Sequence, residues 1–154
     1  MLHIFLDTSG SMQEMGKDRG VLYTLKSIIE CIKNKLDYKI YDFASQELEP
    51  ETLLKTKKFC DCKIDLKSLK FFLLGLEGPK IILSDGCFHK KDLENIKHPL
   101  FDFALSVGID CKLENLKKLS KHVFESSNVV GLIDFLSVYL NANQDTTQGV
   151  DDEW

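Results

Sequence analysis

The sequence lacks the features of membrane-inserted and secreted proteins. None of its apolar runs approaches the roughly 18–20 continuous residues that a transmembrane helix needs. The apolar stretch Leu2–Leu6 is too short for a signal peptide and ends at Asp7. The cysteine count is five, which is odd, and without a secretion signal this predicts reduced thiols and not a disulfide framework. These absences predict a cytoplasmic protein that does not engage a membrane.

An excess of basic residues is also missing. The chain has 20 Lys and Arg against 24 Asp and Glu, a net charge of −4. Nucleic acid and anionic membranes are therefore poor partners. The excess acidity lies in residues 141–154, which carry Asp145, Asp151, Asp152 and Glu153 and no Lys or Arg. We predict one folded domain over residues 1–140 and a disordered acidic tail over residues 141–154.

What the sequence does contain is an alternation of short apolar runs and amphipathic helices. Strands are predicted at 2–6, 38–44, 80–83, 101–107 and 122–124, with a short edge strand near 57–59. Helices are predicted over 21–36, 66–76, 92–97, 113–119 and from 128 to 140, and residues 7–19 are predicted to form a long loop. Asp65 is the expected N-cap of the second helix and Ser126 or Ser127 that of the last. This order predicts an α/β fold, a Rossmann-like three-layer sandwich around a mostly parallel sheet.

Two predicted strand ends carry oxygen-rich loops, Asp7-Thr8-Ser9-Gly10-Ser11-Met12 and Ser84-Asp85-Gly86. Ligands of open parallel sheets bind at the carboxyl ends of the strands, so we expect these loops to meet. Residues two apart in extended chain point the same way, which groups the oxygens of Asp7, Ser9 and Ser11, with Asp85 arriving from the neighbouring strand. Two carboxylates and two hydroxyls suit a hard divalent cation, Mg²⁺ or Mn²⁺, that a partner's carboxylate completes.

The same segments resemble the von Willebrand factor A family. Residues 4–12 look like the Asp-x-Ser-x-Ser opening of that family's metal-ion-dependent adhesion site, and residues 81–86 resemble its third metal loop. Residues 105–109, followed by 116–119 and 123–124, resemble its usual strand, glycine, helix and strand. The resemblance implies a protein-binding module and not an enzyme, with metal held by Asp7, Ser9, Ser11 and Asp85. It also implies an adaptor role beside a MoxR-type AAA+ ATPase, as in stand-alone intracellular members.

The second metal loop departs from the family pattern. The family's ligating Thr corresponds here to Ile64, which cannot ligate, within the run from Cys60 to Leu66. Asp61 or Asp65 are the predicted substitutes. Two versions stay open: weak metal binding through Asp7, Ser9, Ser11 and Asp85, which we favour here, or a metal-independent interaction surface on the same fold.

An enzyme is the first alternative. A strand that ends in Asp-x-x-Gly-Ser also looks like the first motif of haloacid-dehalogenase-type phosphatases, in which Asp7 would be the nucleophile and Ser84 a phosphate-binding hydroxyl. That chemistry needs an acid two residues later to protonate the leaving group, and the residue there is Ser9. Asp110 is the nearest later acidic candidate.

Two further hypotheses concern other residues. Cys60, Cys62, Cys87 and His89 match a common zinc ligand set, although their spacings are tighter than usual. The chain ends in Asp151-Asp152-Glu153-Trp154, where acidic residues flank one aromatic anchor. Such a pattern is typical of a short motif that docks in a basic groove on a partner, and the alternative is an unstructured end.

Overall fold

A computed structural model of the chain describes residues 1–56 and 65–145. Five strands form one sheet, in the order β2-β1-β3-β4-β5. They are β1 (Leu2–Leu6), β2 (Tyr38–Asp42), β3 (Lys80–Ser84), β4 (Phe101–Ser106) and β5 (Ser120–Glu125). All four neighbouring pairs are parallel, and β1 is buried along its whole length. Such apolar runs belong in a parallel sheet covered on both faces, and the predicted α/β fold is confirmed.

Helices cover the sheet in two layers. On one face lie α1 (Lys17–Ile32) and α6 (Val129–Asp145), with Leu53 of α2 (Pro50–Thr56) packed into the same apolar cluster. The other face is covered by α3 (Leu66–Leu74), α4 (Lys90–Glu94) and α5 (Leu113–Leu119). Alternate residues of β1 separate the two cores, since Ile4 and Leu6 face the first and Phe5 faces the second. The result is the predicted three-layer sandwich.

The first helix begins earlier than its apolar pattern predicts. Residues 7–19 do not form one long loop, because a 3₁₀ turn spans Gly10–Gln13 and α1 starts at Lys17. Gly16 precedes the helix in the left-handed conformation, at φ 73°. The first turn of α1 carries charged residues, so its helical period is hidden from hydropathy. This earlier start places Lys17 on the buried side of the helix.

The far edge of the sheet also differs from prediction. Strand β2 stops at Asp42, and the chain turns back at Ser45 so that Tyr41 pairs in antiparallel fashion with Glu47. This single bridge lies at the outer side of β2. The short strand predicted near 57–59 lies outside the described residues.

Of the two predicted helix caps, one is confirmed and one is wrong. Asp65 caps α3 as expected, since its Oδ1 accepts hydrogen bonds from the backbone N–H groups of Lys67 and Ser68 at 3.0 and 3.2 Å. The prediction of Ser126 or Ser127 as the cap of α6 is wrong. Residues Ser126–Asn128 form a 3₁₀ turn, and Oδ1 of Asn128 accepts from the N–H of Gly131 at 3.2 Å.

The last helix is longer than predicted, because α6 continues to Asp145, past the expected boundary at residue 140. In the two described stretches of the chain, no helix is both long and apolar enough to cross a bilayer.

Candidate functional site

The predicted meeting of the first and third loops is present at the carboxyl edge of the sheet. Leu6 of β1 pairs with Leu83 of β3, so Asp7 and Ser84 follow side by side. Ser84 Oγ donates a hydrogen bond to Asp7 Oδ2 at 2.5 Å, and the N–H of Ser9 donates to Asp7 Oδ1 at 3.0 Å. Asp7 has no exposed surface. Both of its carboxylate oxygens therefore accept hydrogen bonds inside the protein.

The second buried carboxylate, Asp85, is paired with a lysine. Its Oδ1 accepts from the backbone N–H of Cys87 at 2.9 Å, and its Oδ2 accepts from Lys17 Nζ at 2.8 Å. The same Nζ contacts the carboxylate of Asp110 at 2.9 Å. The side chain of Lys17 is 2% exposed and that of Asp85 is 0% exposed. The ammonium of Lys17 thus bridges the loops that follow β3 and β4.

Burial disfavours the charged form of both Asp7 and Lys17, but ion pairing keeps Lys17 charged. Burial raises the pKa of Asp7, and the nearby charge of Asp85 raises it further, while hydrogen bonds from Ser84 and Ser9 lower it. Burial alone would lower the pKa of Lys17, but the hydrogen bonds and charges of Asp85 and Asp110 outweigh it and hold that pKa above its usual value. Lys17 is therefore an ammonium ion at neutral pH.

A glycine leaves room for the lysine stem. Gly108, in the loop after β4, has φ +91°, a conformation that side chains disfavour. A Cβ added at this position would lie 2.9 Å from Lys17 Cε and 3.1 Å from Asp110 Oδ1. The backbone of this loop therefore approaches Lys17 as closely as a residue without a side chain allows.

The other predicted metal ligands have their own partners. The hydroxyls of Ser9 and Ser11 lie 3.2 Å apart and share a hydrogen bond. Asp65, a proposed substitute for the missing Thr, is engaged at the start of α3, where Ser68 Oγ donates to its second oxygen at 2.6 Å. Asp61, the other proposed substitute, and Ile64 lie outside the described residues. To act as a ligand, Asp65 would have to leave its cap.

The proposed zinc ligands are only partly described. Cys87 is half-buried, and burial, reinforced by the charge of Asp85, raises the pKa of its thiol to about 11. His89 is exposed and precedes α4. Cys60 and Cys62 lie outside the described residues. Within residues 1–56 and 65–145, no three His, Cys, Asp or Glu side chains come together as a metal site would require, and zinc stays a prediction.

The arrangement of the described residues does not fit Mg²⁺. All four oxygens of Asp7 and Asp85 already accept hydrogen bonds. A divalent ion bound to Asp85 would also lie close to the Lys17 ammonium, and two cations at such a distance in a buried site repel each other strongly. Metal binding would require Lys17 to move away. The geometry around Asp85 thus suits the lysine ammonium and not a divalent metal ion.

The sequence interpretation missed Lys17, although a signal for it exists. Counting back along α1 from the buried residues Ile28, Thr24 and Val21 in steps of three and four reaches position 17. A lysine on a buried helix face is almost always paired with an acid. Asp110, considered only as a weak phosphatase candidate, and Asp85 are the acids that fill this role.

A cleft lies beside Lys17 at the same edge of the sheet. Its volume is about 340 Å³, and it lies between the start of α1 and the loop after β4. Three large apolar side chains on its rim are exposed to solvent: Met15 by 79%, Tyr23 by 75% and Ile109 by 97%. Exposed apolar side chains grouped around a concave surface are typical of protein interaction sites.

Comparisons with known proteins show the fold alone. No protein-family profile matches the chain, and no curated protein matches it in sequence. Among solved structures, the chain is similar to an aerotolerance-related membrane protein from Bacteroides fragilis NCTC 9343, solved with multiple mutations to serine. The TM-score is 0.61 with 10% identity over 92% of this chain and 98% of that one. This similarity supports a von Willebrand factor A-like fold.

Proposed function

We propose that the chain is a protein-interaction module that contacts its partner through the carboxyl edge of the sheet. The von Willebrand factor A-like fold supports an interaction module, and the family resemblance implies that the contact is made at this edge. The observation that carries the proposal is the cleft beside Lys17, where Met15, Tyr23 and Ile109 expose apolar surface around a concave centre. Such surface is costly to leave in water and is covered when a partner binds.

The finer proposals come from the family resemblance. They are that the partner is an AAA+ ATPase of the MoxR type, and that Mg²⁺ held by Asp7, Ser9, Ser11 and Asp85 takes part in the contact. The identity of a captured partner tests the first. The second is untested, the ion pair of Lys17 with Asp85 argues against it, and the interaction module does not depend on it. The phosphatase hypothesis, with Asp7 as nucleophile, also stays a prediction, and the complete burial of Asp7 gives it no support.

A site-specific crosslinking experiment tests the interaction surface. The chain is first used to capture a partner from its source lysate, and a photo-crosslinking amino acid is then placed at Ile109. Val138 on α6 is the matched control, because it is 69% exposed and does not line the cleft. We expect the partner to crosslink from position 109 and not from position 138. Ile109→Asp should weaken the complex about tenfold or more, and Val138→Asp should not.

The opposite pattern would exclude the carboxyl edge as the surface that binds the partner. If a bound partner crosslinks equally from both positions, or tolerates Ile109→Asp without loss of affinity, another face of the molecule carries the interaction. Both variants replace an exposed side chain, so neither should change the melting temperature by much. That comparison separates loss of contact from loss of folding.

The acidic tail gives a separate prediction. Helix α6 is described as far as Asp145, so deletion of residues 146–154 keeps every described residue of the helix and should not lower the melting temperature. If Trp154 with Asp151, Asp152 and Glu153 forms a docking motif, the deletion should weaken the partner complex, and Trp154→Ala alone should reproduce most of that loss. Calorimetric titration with the captured partner measures both. If both variants bind the partner as tightly as the full chain does, the tail takes no part in binding.

A further inference from the structure

We infer that the ammonium group of Lys17 is a built-in cation that takes the place of a divalent metal ion at the carboxyl edge of the sheet. This inference concerns the free protein, so it holds or fails independently of any partner. It explains how the carboxylate of Asp85 stays buried in a site where the sequence predicts a metal.

Lys17 compensates the buried charge of Asp85. Asp85 has no exposed surface, and a buried carboxylate needs a cation or several strong donors to remain in place. Lys17 Nζ provides the cation at 2.8 Å, from a side chain that is itself 2% exposed. The pair is therefore removed from solvent together, and the positive charge lies beside the acid that the predicted metal would bind.

Lys17 also connects separate loops, as a metal ion would. A bridging metal ion joins loops from several strands by collecting oxygen ligands from each. Lys17 does the same with hydrogen bonds, since its Nζ contacts Asp85 after β3 and Asp110 after β4. Lys17 itself stands at the start of α1, directly after the loop that begins with Asp7. One ammonium group thus connects the start of α1 with the loops that follow β3 and β4.

The backbone of the loop after β4 passes close to the lysine side chain. Gly108 adopts φ +91°, and any Cβ there would lie 2.9 Å from Lys17 Cε. An incidental surface lysine would not need such room, because it would extend into water. The left-handed φ of Gly108 and its close approach to Lys17 place the loop after β4 directly against the buried lysine stem.

Calorimetry and thermal shift with Mg²⁺ and Mn²⁺ test the inference on the full chain. The native protein should show no binding heat and no change in melting temperature at about 10 mM metal. Lys17→Ala removes the ammonium and leaves space beside Asp85, so metal should now bind. At tenfold excess over its dissociation constant, a metal should raise the melting temperature of this variant by about 3–6 °C. The double variant Lys17→Ala/Asp85→Asn lacks the carboxylate and should show no such rise.

Two results would overturn the inference. One is metal binding by the native protein that Asp85→Asn abolishes. The other is a folded Lys17→Ala variant that takes no metal, which would make the lysine an ordinary ion-pair partner.

If Lys17→Ala does not fold with or without metal, amide NMR of the native protein decides. The N–H groups of Ser9 and Cys87 donate to Asp7 and Asp85, so their signals report on both carboxylates. They should not shift when metal is added, and shifts at both positions would overturn the inference.

Discussion

Replacement of Lys17 with methionine should lower the free energy of unfolding by about 3–5 kcal/mol, the usual cost of removing one partner from a buried ion pair. Methionine keeps most of the length of the side chain but cannot donate to Asp85 or Asp110. Asp85, with no exposed surface, would lose the cation at 2.8 Å and keep as donors the backbone N–H and the thiol of Cys87, both neutral. Chemical denaturation followed by circular dichroism measures the change.

Two controls separate the buried pair from a general effect of losing a lysine. Lys117 forms an ion pair with Glu114 in which the two side chains are 58% and 82% exposed, so Lys117→Met should cost at most about 1 kcal/mol. The double variant Lys17→Met/Asp85→Asn removes both charges and should recover much of the stability lost in the single variant. Equal losses for Lys17→Met and Lys117→Met would contradict the buried-pair interpretation.

The three central strands were predictable because each is a short, largely apolar run of the kind that a covered parallel sheet requires. β1, β3 and β4 consist mainly of Leu, Ile and Phe and end close to Asp7, Ser84 and Gly108, and all three were placed to within a residue or two. The cap of α3 was predictable for a similar reason, since Asp65 directly precedes an apolar helical period. At these positions, the residues that are neighbours in the sequence were sufficient to predict the secondary structure.

The interior of the candidate site was not predictable in the same way. The sequence suggested that Asp7 and Asp85 meet, which follows from strand order, but it assigned their compensation to a metal. The compensating group is a lysine 68 positions from Asp85 along the chain. Hydropathy assigns lysine to the surface by default, and only the phase of α1 with respect to the sheet reveals that this one faces inward. That phase depends on a helix start at Gly16 that the charged first turn conceals.

The ends of the last helix were missed for a further physical reason. Asn128, and not a serine, supplies the oxygen that caps α6, and residues 141–145 continue the helix although four of these five residues are polar. Helix propagation requires only a favourable backbone, so a polar last turn persists once a helix has been nucleated by its packed part. Apolar periodicity therefore marks the packed part of a helix and underestimates its length.

The loop between β3 and α4 should be the second most sensitive point of the fold, at Gly86. This residue has φ +73°, its N–H donates to Ser84 Oγ at 2.9 Å, and a Cβ added there would lie 2.6 Å from the backbone oxygen of Lys112. That oxygen cannot move away freely, because the N–H of Lys112 is tied to the backbone oxygen of Asp85 at 2.7 Å. The two loops that carry Asp85 and Asp110 are thus packed backbone to backbone.

Gly86→Ala should accordingly lower the free energy of unfolding by about 2–5 kcal/mol, the sum of roughly 1–2 for a left-handed alanine and about 1–3 for overpacking. Gly16→Ala is the matched control: Gly16 has the same φ of +73°, but nothing lies within 4 Å of a Cβ added there. It should lose only the conformational part. The difference between the two variants in chemical denaturation measures the contact between the loops. Equal losses would show that backbone conformation alone requires glycine at position 86, and that the loops can separate without cost to the site.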